Sequence, residues 1–222
     1  MKPGTYILDL LLKGQDTGKT IVYLRHSTRN SFAGVPEHLR QGVEITEEGI
    51  QVAREFGTSL HRIFPEKRLI LGHTVARRCQ MTAEFIGQGF SPAGFQIIDY
   101  QKEIEDPILD MESYCAERDE NGWENLIINW LNKKVPQNIM QDPDTYADRH
   151  VKKLISFDSI DNGNLFVVIG HDYTIFPIVS RVFGKRMTGI DFLNGIVIQA
   201  GSGTAKILFS DADGAMKKEL HY

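Results

Sequence analysis

LFVVIGH, residues 165–171, is a continuous apolar run that ends in histidine. Two further runs have the same form, IVYLRH at 21–26 and LILGH at 69–73. Runs without polar alternation are typical of strands buried on both faces, as in a parallel sheet covered by helices. The three runs therefore predict parallel strands, each of which ends in a histidine.

Helical patterns lie between and after these runs. Thr46 is placed to cap a helix, apolar side chains then recur at 3.6-residue spacing, and Gly184 is placed to end the last helix. The three apolar stripes are formed by Val52, Ala53, Phe56, Leu60 and Ile63; by Val75, Cys79, Thr82 and Ile86; and by Ile175, Ile178, Val179, Val182 and Phe183. The alternation of strand and helix predicts an α/β fold, a three-layer α/β/α domain with a mostly parallel central sheet and right-handed crossovers. Residues 195–199 and 204–209 flank a Gly-rich turn, which predicts a hairpin at the sheet edge.

The stretch from about 87 to 150 breaks this rhythm, since it offers one amphipathic helix and no clear strand. The apolar positions of that helix are Trp123, Leu126, Ile127, Trp130 and Leu131. We interpret the stretch as a helical insertion over one end of the sheet and over the site. Residues 1–222 are then a single domain that carries this insertion.

The composition excludes several functional classes. The chain has 222 residues, 41% hydrophobic and 24% charged, with a net charge of −4. No global basic field favours nucleic acid or an anionic membrane. The apolar patch at 6–12 is interrupted by Asp9 and is too short for a signal peptide or a membrane span. Cys79 and Cys115 form no CxxC pair and are interpreted as free thiols. These features together predict a cytoplasmic protein.

Cationic side chains follow the three predicted strands. The strand ends carry Arg25-His26, His73-Thr74 and His171-Asp172, and Arg29 and Arg78 follow closely after the first two. Ligands bind beyond the carboxyl ends of strands in an open parallel sheet. Such a concentration of positive charge is suited to a compact anion such as phosphate.

Four motifs, in order along the chain, resemble those of the histidine phosphatase superfamily, whose fold is phosphoglycerate mutase-like. LRHSTR at 24–29 resembles the R-H-G-x-x-R signature, and ITEEG at 45–49 resembles the L-T-x-x-G entry to the first helix. RCQMTAE at 78–84 is similar to the R-x-x-x-T-A-E helix, and VIGHD at 168–172 is similar to the second histidine motif. Ser27 departs from the pattern, because the family usually has glycine there.

The resemblance implies a role for each matching residue. His26 is expected to attack phosphorus and carry a phosphohistidine, while His171 and the arginines Arg25, Arg29 and Arg78 hold the phosphate oxygens. Asp172, directly after the second histidine, is the expected general acid, as in the acid-phosphatase and phytase branch. Glu105 and Asp106 replace it if the mutase-like pattern applies, in which the acid comes from the insertion. His73 is an accessory candidate that touches the phosphate or only packs nearby.

The resemblance favours a phosphatase that acts on phosphate monoesters without a metal or cofactor. The substrate is then a small phosphorylated molecule or a phosphoprotein, and the oligomeric state is not readable from the sequence. Three alternatives stay open: a phosphoglycerate mutase-type phosphotransferase, a phospho-ligand-binding module without turnover, and a metallohydrolase. Flanking arginines and the lack of H-x-H or H-x-x-x-H spacing disfavour the last of these.

Overall fold

The computed structural model describes residues 2–14, 18–90, 95–98, 106–157 and 163–221. Within these ranges seven strands form one sheet: β1 (Lys19–Arg25), β2 (Arg68–His73), β3 (Gln96–Ile98), β4 (Asn164–Gly170), β5 (Gly195–Ala200), β6 (Thr204–Asp211) and β7 (Gly214–His221). The helices are α1 (Thr5–Lys13), α2 (Glu47–Ile63), α3 (Arg77–Phe90), α4 (Met111–Asn121), α5 (Trp123–Leu131), α6 (Pro143–Ser156) and α7 (Asp172–Phe183), with a 3₁₀ helix at Glu37–Gly42.

The strand order is β3-β2-β4-β1-β5-β6-β7. β1 and β2 both pair in parallel with β4, and β3 pairs in parallel with β2. β5, β6 and β7 add on by antiparallel pairing. The sheet is thus mostly but not wholly parallel, and the three apolar runs occupy neighbouring strands. Register places Arg25 opposite Gly170 and His73 opposite Ile169, so all three strands end at one edge of the sheet.

Strand β4 shows why the runs are apolar throughout. Leu165, Val167 and Ile169 belong to a core cluster shared with α1, α2 and α3. Phe166 and Val168 face the opposite cluster, which includes side chains of α5, α6 and α7. Successive side chains of a strand point to opposite faces, so a strand between two helical layers is buried on both. This arrangement confirms the three-layer α/β/α fold.

Two local predictions at helix ends and turns are also confirmed. The Thr46 hydroxyl accepts a hydrogen bond from the Gly49 amide at 3.0 Å and caps α2. Gly184 ends α7 in the left-handed conformation, with φ of 69°.

The hairpin of β5 and β6 forms, but its predicted position at the sheet edge is wrong. β7 pairs with β6 along its whole length and forms that edge instead. β7 has largely exposed, charged side chains and no continuous apolar run, so it lacks the signal that identified the other strands.

The 87–150 stretch contains more regular structure than the sequence indicates. It includes the end of α3, the short strand β3, α4, α5 and most of α6. β3 is a strand where none was predicted, and its three residues are too few to show a pattern. Helix α6 contributes to the core beside α7, so this part of the stretch belongs to the helical layer. That the stretch is an insertion into a single domain stays a prediction.

In the described ranges no helix has the length and apolar character needed to cross a bilayer. Cys79 is buried and Cys115 half-buried, and both are free thiols.

Candidate active site

A cleft of about 1070 Å³ opens at the edge where β1, β2 and β4 end. Most of the residues singled out from the sequence line it: Arg25, His26, Arg29, Arg78, Asp106, His171 and Asp172. His73 does not line the cleft, and its Nδ1 lies 2.9 Å from the carbonyl oxygen of Thr74. Its accessory role in phosphate contact is therefore not supported. Glu105 lies outside the described residues.

His26 follows the last residue of β1 and is 4% exposed. Its Nδ1 lies 2.7 Å from the carbonyl oxygen of Ser27, a geometry in which Nδ1–H donates. This hydrogen bond fixes the tautomer and leaves the Nε2 lone pair unprotonated. Burial and the positive charges of Arg78, Arg25 and Arg29 hold the pKa of His26 well below 6.5. The ring is thus neutral and suited to act as a nucleophile.

Ser27 is the residue that departs from the family pattern, and it is fully buried. Its hydroxyl donates to the carbonyl oxygen of Gly49 at 2.8 Å, and its amide donates to the hydroxyl of Thr82 at 3.1 Å. The serine therefore connects the turn after β1 to the start of α2 and to α3. Serine in place of glycine adds the hydroxyl bond to Gly49, whereas the amide bond to Thr82 needs only the backbone.

His171 precedes the first turn of α7 and is also buried. Arg78 lies 3.4 Å from Nδ1, and because a guanidinium can only donate, Nδ1 accepts. The opposite nitrogen, Nε2, then donates to the Thr74 hydroxyl at 3.1 Å. Burial, followed by the charge of Arg78, holds the pKa of His171 well below 6.5. The centres of the His171 and His26 rings lie 5.7 Å apart, so the two rings share one small volume.

We refer to Arg25, Arg29 and Arg78 as the inner arginines. Backbone carbonyl groups hold all three: Arg25 donates to Ile190, Arg29 to Asn30 at 2.8 Å, and Arg78 to Arg40 at 2.9 Å. Among the described residues, one carboxylate forms an ion pair with the group: Asp172 lies 3.2 Å from Arg25. Burial and the neighbouring charges of Arg78 and Arg25 lower the pKa of Arg29 to about 10.

Two phenylalanines also contact these arginines. The Arg29 guanidinium lies 3.4 Å from the centre of the Phe32 ring, and that of Arg78 lies 5.2 Å from it. Phe192 lies 4.3 Å from the Arg25 guanidinium. The electron-rich face of an aromatic ring attracts a cation without neutralising its charge. The rings therefore position the cations and leave their charge available to an anion.

Two carboxylates in the cleft could supply a proton. Asp172 accepts from the amide of Tyr173 at 2.9 Å and pairs with Arg25. Asp106 accepts from the Ile108 amide at 3.0 Å and from the Tyr173 hydroxyl at 3.2 Å. Loss of solvent around Asp106 raises the pKa of its carboxyl group, against the effect of these two hydrogen bonds.

The outer part of the cleft contains charged residues that the sequence reasoning missed. Glu37 accepts from Arg40 at 2.6 Å and from Arg118 at 2.7 Å, and Arg118 also contacts Asp119 at 2.9 Å. We call these four residues the outer ion-pair network. Glu37 and Arg118 lie far apart in the chain, and no motif connects them. Thr74 was identified at the end of β2, but no feature of the sequence indicated that its hydroxyl contacts His171.

Metal ligation was the remaining open question for these residues. In the described part of the chain, no three His, Cys, Asp or Glu side chains come together as a group that could hold a metal ion. The positive charge of the cleft comes from guanidinium groups.

No family model and no curated protein matches the chain. Solved structures do match. Phosphoglycerate mutase from Bacillus anthracis str. Sterne aligns at a TM-score of 0.56 and 13% identity, over 94% of this chain and 95% of that one. A candidate alpha-ribazole-5'-P phosphatase from Escherichia coli K-12 aligns at a TM-score of 0.53 and 17% identity, over 92% of this chain and 97% of that one. A candidate phosphohistidine phosphatase SixA from Agrobacterium tumefaciens aligns at a TM-score of 0.50 and 13% identity, over 82% of this chain and 92% of that one.

These neighbours are members of the histidine phosphatase superfamily. The chain therefore has the phosphoglycerate mutase-like fold of that superfamily. At such low identity the likeness concerns the fold, and the reaction has to be argued from the cleft itself.

Proposed function

We propose that this protein hydrolyses phosphate monoesters through a covalent phosphohistidine on His26. The observation that carries the proposal is the state of the His26 ring. Its Nδ1–H is bonded to the Ser27 carbonyl, its Nε2 is unprotonated, and the inner arginines surround it. A neutral imidazole next to cations without full counter-charge is suited to attack a dianionic phosphate group.

The reaction then proceeds in two displacements at phosphorus. In the first, the Nε2 lone pair of His26 forms the P–N bond as the bond to the leaving oxygen breaks, and the departing alkoxide takes a proton from Asp172. In the second, water attacks the phosphohistidine, Asp172 takes a proton from that water, and the P–N bond breaks. His26 and Asp172 return to their starting states, and inorganic phosphate is released. The inner arginines and His171 stabilise the charge on the phosphoryl oxygens in both steps.

Asp172 is the preferred acid because of its position. It lines the cleft, follows His171 directly in the chain and lies 3.2 Å from Arg25. A phosphate group held by Arg25 therefore lies beside the Asp172 carboxyl group, within reach of the leaving oxygen. Asp106, whose pKa is already raised, is the alternative acid.

The hypothesis of hydrolysis has one close alternative, a phosphotransferase that returns the phosphoryl group to its bound product. The position of Asp106 in the 87–150 stretch favours this alternative. Incubation with a phosphoglycerate and measurement of both free phosphate and isomerised product separates the two. Free phosphate in excess over isomer supports hydrolysis, and isomer without free phosphate contradicts it.

The test of the nucleophile is detection of the phosphoenzyme. The protein is mixed with a phosphomonoester in the presence of a metal chelator, quenched in base, where phosphohistidine is stable, and analysed by intact mass. We expect a phosphoryl adduct on wild type and on His61→Ala, an exposed histidine of α2. The adduct and turnover should both disappear in His26→Ala. Turnover that persists in His26→Ala rejects the proposal.

A further inference from the structure

The cleft is much larger than a phosphate group requires. Its volume of about 1070 Å³ lies just above the range of about 300–1,000 Å³ found for pockets that hold drug-sized ligands. The inner arginines, His26 and His171 occupy the end next to the strand termini. The rest of the space adjoins them directly, so it is where the leaving group of a bound phosphomonoester must lie.

Apolar side chains line this outer space from three separate parts of the chain. Val75 comes from the loop after β2, and Met111 and Trp123 begin α4 and α5. Val75 is 58% exposed and Met111 is 48% exposed. Large apolar side chains exposed in a concave surface gain most when a ligand covers them. The exposed walls therefore favour an apolar leaving group.

An aromatic surface extends this wall up to the phosphate end of the cleft. The Tyr173 ring lies parallel to the His171 ring, 5.3 Å between centres and 2° between planes. Trp123 meets the same tyrosine edge-to-face at 6.3 Å. The Tyr173 hydroxyl is bonded to Asp106, which fixes the orientation of its ring. A flat group in the leaving group of the ester would thus meet fixed aromatic surface.

The charges of the outer cleft are largely paired with one another. Glu37 binds both Arg40 and Arg118, and Arg118 is also bonded to Asp119. A second phosphate on the substrate would have to displace these carboxylates to reach the arginines. Glu112, which also lines the cleft, would repel it. The outer cleft is therefore poorly suited to a bisphosphate.

We infer that the substrate is a small phosphomonoester with one phosphate group and a large, flat aromatic leaving group. The inference rests on the proposed function and adds the class of substrate. It excludes short polyol phosphates and bisphosphates as preferred substrates. The inner arginines recognise the phosphate, and the wall formed by Val75, Met111, Trp123 and Tyr173 recognises the ring system.

The test compares two esters that differ only in the ring, propyl phosphate and 3-(2-naphthyl)propyl phosphate. Both release a primary alcohol of similar reactivity, so the ratio of their kcat/KM values reports binding of the ring. We expect the naphthyl ester to be favoured by about 30-fold or more in wild type. Trp123→Ala and Met111→Ser should each reduce the ratio to about a third or less of the wild-type value.

Leu109→Ala is the matched control for Met111→Ser. Leu109 is 57% exposed and lies two residues away, but it does not line the cleft. Its replacement should leave the ratio unchanged. Equal kcat/KM values for the two esters in wild type overturn the inference but leave the proposed hydrolysis intact.

Binding of the matching phosphonates, measured by calorimetry, tests the inference separately from turnover. Wild type and His26→Ala should both bind 3-(2-naphthyl)propylphosphonate at least about tenfold more tightly than propylphosphonate. Equal affinities overturn the inference even if neither ester is hydrolysed. Tighter binding of the naphthyl compound without hydrolysis of either ester supports the inference and contradicts the proposed function.

Discussion

Two groups of arginines line one cleft and differ in what surrounds their charge. The inner arginines are held by backbone carbonyl groups and phenylalanine rings, and within the described part of the chain Asp172 is the one carboxylate paired with them. In the outer ion-pair network, Glu37 binds both arginines. The first arrangement leaves positive charge uncompensated, and the second neutralises it. Residue type alone therefore does not identify a phosphate site. A phosphate site is distinguished by arginines whose charge is not neutralised by neighbouring carboxylates.

The pKa values of one arginine from each group show the same contrast. Burial and the nearby inner arginines lower the pKa of Arg29 to about 10. At Arg118 burial also opposes the charge, but hydrogen bonds to Glu37 and Asp119 outweigh it and raise the pKa. A site whose cations destabilise each other gains most from a bound dianion. The outer network gains much less.

The largest expected effect is the loss of an inner arginine, compared with the loss of an arginine of the outer ion-pair network. Arg78→Ala should lower kcat/KM by about a thousandfold, since it removes charge stabilisation in the transition state. Arg118→Ala should change inhibition by inorganic phosphate by less than about threefold, because its charge is already neutralised. Steady-state kinetics and phosphate inhibition measure both effects. A loss of phosphate inhibition in Arg118→Ala as large as that in Arg78→Ala would contradict the distinction between the two groups.

Asp172, the carboxylate that pairs with Arg25, gives the next effect. Asp172→Asn should slow the hydrolysis of alkyl phosphates by about a hundredfold, because the alkoxide loses its proton donor. Activated aryl phosphates should be slowed far less, since their leaving groups need no proton.

Asp106→Asn is the matched variant for this experiment. If Asp106 is the acid, the selective loss on alkyl phosphates appears there and not in Asp172→Asn. Equal slowing of alkyl and aryl phosphates by Asp172→Asn would contradict its role as the acid.

A smaller effect is expected from the ring that holds two inner arginines. Phe32→Leu should weaken inhibition by inorganic phosphate and raise KM by about tenfold, with kcat much less affected, because Arg29 and Arg78 lose their aromatic contact. Phe32→Tyr should restore the wild-type values.

Phe64→Leu serves as the control, because Lys67 lies over that ring at 5.6 Å, away from the cleft. It should leave both KM and phosphate inhibition unchanged. Wild-type KM in Phe32→Leu would show that the ring does not position the arginines.

The smallest effect concerns stability at mildly acidic pH. His26 and His171 keep pKa values well below 6.5 in the folded protein, and that of His150 is lowered to about 3, mainly by burial. In the unfolded chain each histidine takes up a proton near pH 6.5. Their contribution is therefore complete above that pH and is lost as the pH falls. The free energy of unfolding should drop by up to about 1.4 kcal/mol per pH unit for each histidine.

Urea unfolding between about pH 7 and pH 5 measures this slope. His26→Gln should lower the number of protons taken up on unfolding by about one, and the slope should fall in proportion. Leu109→Ala, which removes no titratable group, should leave the slope unchanged. An unaltered slope in His26→Gln would mean that His26 is not buried as a neutral ring.

The parts of the fold that the sequence predicted are those with a local signal. Continuous apolar runs identified β1, β2 and β4, and a cap residue with apolar spacing identified α2. β7 was missed because its side chains are mostly exposed and charged. β3 was missed because three residues carry no period.

For the cleft, the sequence by itself determined which residues end the central strands, because strand order and spacing bring those ends to one edge. It named His26, His171 and the inner arginines, but it also named His73, which the structure places outside the cleft lining. Only the tertiary structure decided which arginines keep uncompensated charge. That decision depends on Phe32, Phe192 and Glu37. These residues reach the arginines through packing between distant segments, as when Glu37 binds Arg118 across 81 positions. Contacts at such separation leave no pattern in the chain, because they are fixed only once the layers have packed.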